Sequence, residues 1–173
     1  MKQDSSSFME FNDVVNEKDE VVGRVAHKEL YTILAPHRIV HVLLFDENDK
    51  LILQKRSKHK SFCPLHWSTS VGGHVNSGET YEKAALREFK EELGVVVPIE
   101  FLFKTRYDDP RGFFKFLGIF KAKYTGSFDL NTEEVESVSS FDLSEIIMMI
   151  KEGEPFHPEL KFLFENHLNF IKS

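Results

Sequence analysis

Three glutamates, Glu88, Glu91 and Glu92, are the residues of this chain best placed to do chemistry. At spacings of three and four they are neighbours on a helix surface, where like charges cost an isolated helix about 0.2 to 0.5 kcal/mol per pair. A divalent cation offsets that repulsion, and carboxylate oxygens are hard ligands that suit Mg²⁺ or Mn²⁺. Beside a phosphate, such a cation lowers the pKa of a bound water, screens the phosphate oxygens and stabilises charge on the leaving oxygen. Taken alone, the run from Arg87 to Glu92 is also an ordinary solvated helix face, with Arg87 pairing Glu91 across one turn. The residues before it favour chemistry. Val71-Gly72-Gly73-His74 and Ser77-Gly78-Glu79 put glycines where a backbone must approach a ligand or turn sharply ahead of a helix.

The element that carries the glutamates is predicted as a helix from about Tyr81 to Leu93. Tyr81, Ala85, Phe89 and Leu93 form one apolar stripe, with the three glutamates on the opposite face. Thr80 is the expected N-cap, Glu82 the acid of the first turn, and Gly94 the stop. Upstream, Phe11 to Val15 and Val21 to Val25 read as strands around a turn at 16–19, and Ala26 to Leu34 as a short helix or irregular connection. Ile39 to Phe45 and Lys50 to Lys55 read as a hairpin across Asp46-Glu47-Asn48-Asp49. Downstream, Val95 to Tyr107, Phe113 to Tyr124 and Val135 to Asp142 read as strands, and Leu143 to Lys151 and His157 to Ile171 as helices. Strands bracket helices without a regular βαβ repeat, so the expected class is α/β with a mixed sheet sandwiched between helices.

From Gly73 to Val95 the chain fits G-x5-E-x7-R-E-U-x-E-E-x-G-U at every position, with U apolar. This is the Nudix box, and the chain resembles Nudix hydrolases. The resemblance implies an α/β/α sandwich with a mixed sheet and a metal held by Glu88, Glu91 and Glu92. A backbone carbonyl of Gly72 or Gly73 would complete the shell. It also implies an ion pair between Glu79 and Arg87 that fixes the loop against the helix, and a contribution of Glu88 to activating the nucleophile. Which carboxylate is the base varies in the family. Glu133, Glu134 and Glu136 precede the last strand, where many members carry one more acid that binds metal or acts as base, and Glu134 is the choice among them.

Outside the box, Pro36-His37-Arg38, Leu53 to Ser57, Pro64, Trp67 and Gly73-His74-Val75 resemble the branch containing isopentenyl diphosphate isomerase and its hydrolase relatives. Arg56 and Lys60 match positions that bind the diphosphate there, and a solvated basic loop is the alternative for them. Isomerisation needs a proton donor and an acceptor on opposite faces of the substrate. The isomerase cysteine would fall at Gly72, and the strand that should carry the further acids reads Phe113-Phe114-Lys115-Phe116. Of the isomerase metal histidines, His37 and His74 fall where expected, while the third position is Leu30 with His27 nearby. Trp67, Tyr107 and Phe113 either stack on a nucleobase or belong to the core.

The 173 residues are expected to form one domain from residue 8 onward, with 1–7 as a disordered tail. Seventeen phenylalanines supply much of its core. A net charge of -6 argues against nucleic acid as a partner, and no apolar run is long enough to span a membrane. One cysteine, Cys63, excludes an internal disulfide. The expectation is a cytoplasmic monomer or homodimer. It would use Mg²⁺, or Mn²⁺, to hydrolyse the diphosphate linkage of a small molecule, such as a nucleoside diphosphate joined to another group. The alternatives are an isomerase-like enzyme and a non-catalytic nucleotide-binding domain.

Overall fold

The computed structural model describes residues 10–172, so the expected tail 1–7 lies outside the described residues. The chain opens with a hairpin of β1 (Phe11–Val15) and β2 (Val21–Ala26), followed by a single 3₁₀ turn, His27–Glu29. Then come β3 (His37–Phe45), β4 (Leu51–Arg56), β5 (Trp67–Ser68), β6 (Val71–His74) and α1 (Tyr81–Leu93). The remaining elements are β7 (Glu100–Asp109), β8 (Phe113–Lys123), β9 (Val135–Phe141), α2 (Leu143–Lys151), α3 (Pro158–Asn166) and α4 (Leu168–Lys172). Among the described residues no helix is long and apolar enough to cross a membrane.

The main sheet runs β5-β4-β3-β8-β7, with β6 added to β3 and β9 to β4. It is mixed: β3 and β8 are parallel along their length, and the other pairs are antiparallel. The alternating side chains of β3 divide the core in two. Val40, Val42 and Leu44 face α1 and pack with Ala84, Ala85, Phe89 and Leu93. Ile39, Leu43 and Phe45 join Leu160, Leu163 and Phe164 in the core on the α3 side. Phe89 is wholly buried, which stabilises the α1 contact by about 2 kcal/mol.

The helix of the box spans Tyr81–Leu93 as expected. Thr80 accepts a hydrogen bond from the Lys83 N–H, and Gly94 ends the helix at φ 70°. The expected hairpin differs. β3 and β4 pair only beside the turn, at Leu44↔Ile52 and Phe45↔Leu51. Beyond that point the Ser70 hydroxyl separates them, accepting from the Leu44 N–H and donating to the Ile52 carbonyl. The freed edge of β3 takes β6 at Ile39–Val42, which places Gly72 and Gly73 in a strand. The expected strand from Val95 begins only at Glu100. The single helix expected from His157 to Ile171 is broken at His167, which leaves helical geometry at φ -130° with its ring held by Thr105 and Phe103.

Candidate active site

The ends of β6 and α1 meet where glycine is a geometric requirement. A Cβ on Gly73 would lie 2.1 Å from the Glu88 carboxyl carbon, and one on Gly72 would lie 2.9 Å from His41 Nδ1. Their absence lets the carboxylates of α1 settle onto the β6 backbone. They line a cleft of about 800 Å³. The cleft also takes in Gly72, Gly73, Arg56, Lys60, Glu134 and, from the far wall, Arg111, Lys115 and Glu159.

Within α1 the three glutamates differ, which corrects the expectation that all three stand opposite the apolar stripe. Glu91 is 54% exposed and Glu88 15%. Glu92 is buried at the sheet, where its Oε2 accepts from Gln54 Nε2 at 2.7 Å and from the Gly72 N–H at 3.3 Å. Burial pushes the Glu92 carboxyl up to about 8, and the neighbouring Glu88 adds to this. Burial likewise pushes Glu88 up to about 7, against the pull of Arg87. Two carboxyls that hold their protons so firmly are short of positive charge.

Arg87 fixes the surrounding loop. Its Nε and Nη2 donate to the two oxygens of Glu79 at 3.0 Å each, and Nη2 also donates to the His74 carbonyl at 2.9 Å. Nη1 reaches Glu88 at 2.7 Å and Glu91 at 3.3 Å. Glu88 and Glu91 are therefore held by Arg87, and among the described residues no three His, Cys, Asp or Glu side chains form a ready metal cage. The donor set nevertheless fits a hard cation: carboxylates of one helix, two of them short of charge, against the bare backbone of Gly72 and Gly73.

The other expected site residues are distributed unevenly. Glu134 lies in the cleft, ion-paired with Lys60. Arg56 lines the cleft and donates through Nε and Nη2 to the Phe62 carbonyl at 3.2 and 3.0 Å. Trp67 lies outside the cleft lining and packs edge-on against Phe141, while Tyr107 is buried in the core. His27, His37 and His74 do gather, with ring centroids 4.7 Å apart for His27 and His74 and 5.2 Å for His37 and His74. Tyr31 binds His74 Nε2 at 2.8 Å, Asn12 binds His27, and the Ala35 carbonyl binds His37 Nδ1. Leu30 is instead part of a small apolar cluster with Val25 and Ala35.

A buried network was not foreseen from the sequence. Glu159, at the start of α3, accepts from Lys115 Nζ at 2.6 Å and from His41 Nε2 at 2.8 Å. Burial opposes its ionisation, but Lys115 and His41 hold it well below the usual carboxylate range. Lys115 also lies 3.5 Å from Asp109, which chelates Arg111. The strand Phe113–Phe116 carries no acid, and its face receives carboxylates from α3 and from the end of β7. Charged residues in an apolar strand were the available signal, but nothing local says which partners meet them.

This arrangement of mixed sheet, glycine strand and carboxylate helix can be compared with known proteins. The NUDIX domain model matches residues 35–164. The chain belongs to the Nudix family. A Nudix hydrolase of Listeria monocytogenes, itself uncharacterised, is 32% identical over 169 residues, covering 95% of this chain and 96% of its own. One from Streptomyces coelicolor is 36% identical over 132 residues, covering 75% and 73%. Among solved structures, DR0079 of Deinococcus radiodurans superposes with a TM-score of 0.77 at 28% identity, covering 90% of this chain and 98% of that one. The NUDIX domain of Shewanella oneidensis NrtR, solved with ADP-ribose, has the same fold, with a TM-score of 0.60 at 21% identity over 84% and 98% of the two chains. The Nudix chain described here is thus a hydrolase by family, with a helix and loop that conform to the box throughout.

Proposed function

We propose that this Nudix hydrolase uses Mg²⁺, or Mn²⁺ in its place, to hydrolyse the diphosphate linkage of a nucleoside diphosphate joined to another group. ADP-ribose, the ligand of the NrtR domain, is a compound of that kind. The observation that carries the reading is the buried Glu92 beside Glu88, both protonated more readily than ordinary carboxyls and both facing bare glycine backbone. Neither group gains stability from that placement without a cation.

Glu88, Glu91 and Glu92 would hold the metal, with a carbonyl of Gly72 or Gly73. When bound, Mg²⁺ screens the phosphate oxygens and acidifies a water. Arg87 and Glu79 keep the loop against α1, so the carboxylates face the cleft from a fixed backbone. The water oxygen bonds to phosphorus as the anhydride P–O bond breaks, and the proton of the water passes to a carboxylate of the cleft, Glu88 or Glu134. Arg56 and Lys60 receive the charge of the phosphates.

Two features favour the hydrolase over the isomerase-like alternative. An isomerase cysteine at position 72 would bring its Cβ to 2.9 Å from His41 Nδ1, and Lys115 is committed to Glu159. The test is a panel of nucleoside diphosphate compounds with Mg²⁺, with products identified by mass spectrometry, beside Glu92→Gln. Metal-dependent release of a nucleoside monophosphate, lost in the variant, is expected. Release from no compound would overturn the hydrolytic reading, and proton exchange on isopentenyl diphosphate would replace it with the isomerase.

A further inference from the structure

We propose that the wall of the cleft remote from α1 is a second anion subsite, in which Arg111 grips a phosphate or carboxylate on the far part of the substrate. The proposal rests on the diphosphate reading above and narrows its substrate class to compounds with a further anionic group beyond the hydrolysed linkage.

Arg111 sits at the turn Asp109-Pro110-Arg111-Gly112 between β7 and β8. The turn is closed by the Gly112 N–H donating to the Asp109 carbonyl at 2.9 Å, with Gly112 at φ 97°. The Asp109 carboxylate then orients the side chain, accepting from the Arg111 backbone N–H at 3.0 Å and from Nε and Nη2 at 2.8 Å each. One edge of the guanidinium is thereby fixed, and among the described residues Nη1 donates to nothing. Three rings surround the group, Tyr31 at 5.0 Å, Phe113 at 5.2 Å and Phe62 at 5.4 Å from its central carbon. Aromatic faces favour a guanidinium and keep water from its planes, which strengthens any bond its free nitrogen makes. The side chain is still 40% exposed, and it opens onto the cleft.

Charge points the same way. Arg56 donates to the backbone carbonyl of Phe62, the residue whose ring lies against Arg111, so both guanidinium groups meet at Phe62, one on its backbone and one on its ring. Arg111 and Lys115 are balanced by Asp109 and Glu159, while Arg56, with no ion pair among the described residues, adds a positive charge to the cleft. Lys60 pairs with Glu134 and adds nothing to this balance until a phosphate takes the place of that carboxylate. The opposite wall is the carboxylate helix. A ligand matched to both walls carries phosphates for a metal at one end and oxygen anions for a forked donor at the other.

The experiment works on the full chain stripped of metal with EDTA and then dialysed free of the chelator, so that α1 holds no cation that could bind an anion. Inorganic phosphate and, separately, acetate are titrated against the wild type, Arg111→Gln, Arg111→Lys and, as a control for loss of one positive charge outside the cleft, Lys123→Gln by calorimetry. Gln retains a donor for Asp109, and thermal melting confirms that the variants are folded. The expected result is binding of one of the two anions, weakened at least about tenfold in Arg111→Gln, less so in Arg111→Lys and not at all in Lys123→Gln. Which anion binds more tightly identifies the group as phosphate or carboxylate. No binding of either anion by the wild type, or equal binding by Arg111→Gln, overturns the subsite. Arg111-dependent binding in a protein that hydrolyses no diphosphate would uphold the subsite while overturning the hydrolytic reading.

Discussion

Replacing Glu92 by glutamine should make the metal-free protein more stable while removing its activity. The unfolded glutamate titrates near 4.5, whereas burial raises the folded one to about 8. A carboxyl whose pKa rises on folding lowers stability as pH climbs from the unfolded to the folded value. At pH 7 the unfolded group is ionised and the folded group protonated, and each pH unit above 4.5 costs about 1.4 kcal/mol, or about 3 kcal/mol in all. Glutamine avoids that cost, and its side-chain oxygen accepts the same bonds from Gln54 and Gly72. For a chain of this size the gain corresponds to roughly 5 to 10 °C in melting temperature. Calorimetry in EDTA from pH 4 to about 9 should show the advantage absent below 4.5, growing to about pH 8 and level beyond. With Mg²⁺ the order should narrow or reverse, because only the wild type gains binding energy from the cation. Turnover should fall on the order of 100-fold, about 2.7 kcal/mol of barrier. A variant that melts below the wild type in EDTA at pH 7.5, or that keeps its turnover within about threefold, would refute the argument.

Gly73→Ala should abolish activity, because its Cβ would fall 2.1 Å from the Glu88 carboxyl carbon and displace that carboxylate; kinetics that match the wild type would show that the contact can relax. Arg87→Ala leaves Glu79 without its two-pronged partner and should cost about 2 to 4 kcal/mol, readable in urea unfolding. Two buried histidines should oppose the gain that Glu88 and Glu92 give on acidification, by a loss of stability between pH 6.5 and 4. Burial holds His37 and His157 at about 4, so the unfolded chain takes up protons first, and the support those neutral rings give is lost across that window. For His37, whose buried Nε2 has no hydrogen-bond partner among the described residues, His37→Asn should lessen that loss; an unchanged slope would remove His37 as its source.

The sequence by itself determined the helix Tyr81–Leu93, its cap and stop, and the adjacency of Glu88, Glu91 and Glu92. Each depends on spacing within a few residues, where helical geometry leaves little freedom. The Nudix box and the mixed α/β class were legible for the same reason. Only the tertiary structure decided that Glu92 is buried while Glu91 is exposed, because that depends on how closely β6 approaches α1. It also decided that Ser70 parts β3 from β4, which no hydrophobic pattern encodes. The far wall was equally closed to sequence reading. Glu159 meets His41 across 118 residues of chain, and Lys115 and Arg111 acquire their partners from separate elements. Periodicity reports which face a residue occupies, whereas the charge a buried group can carry is set by whatever folds against it.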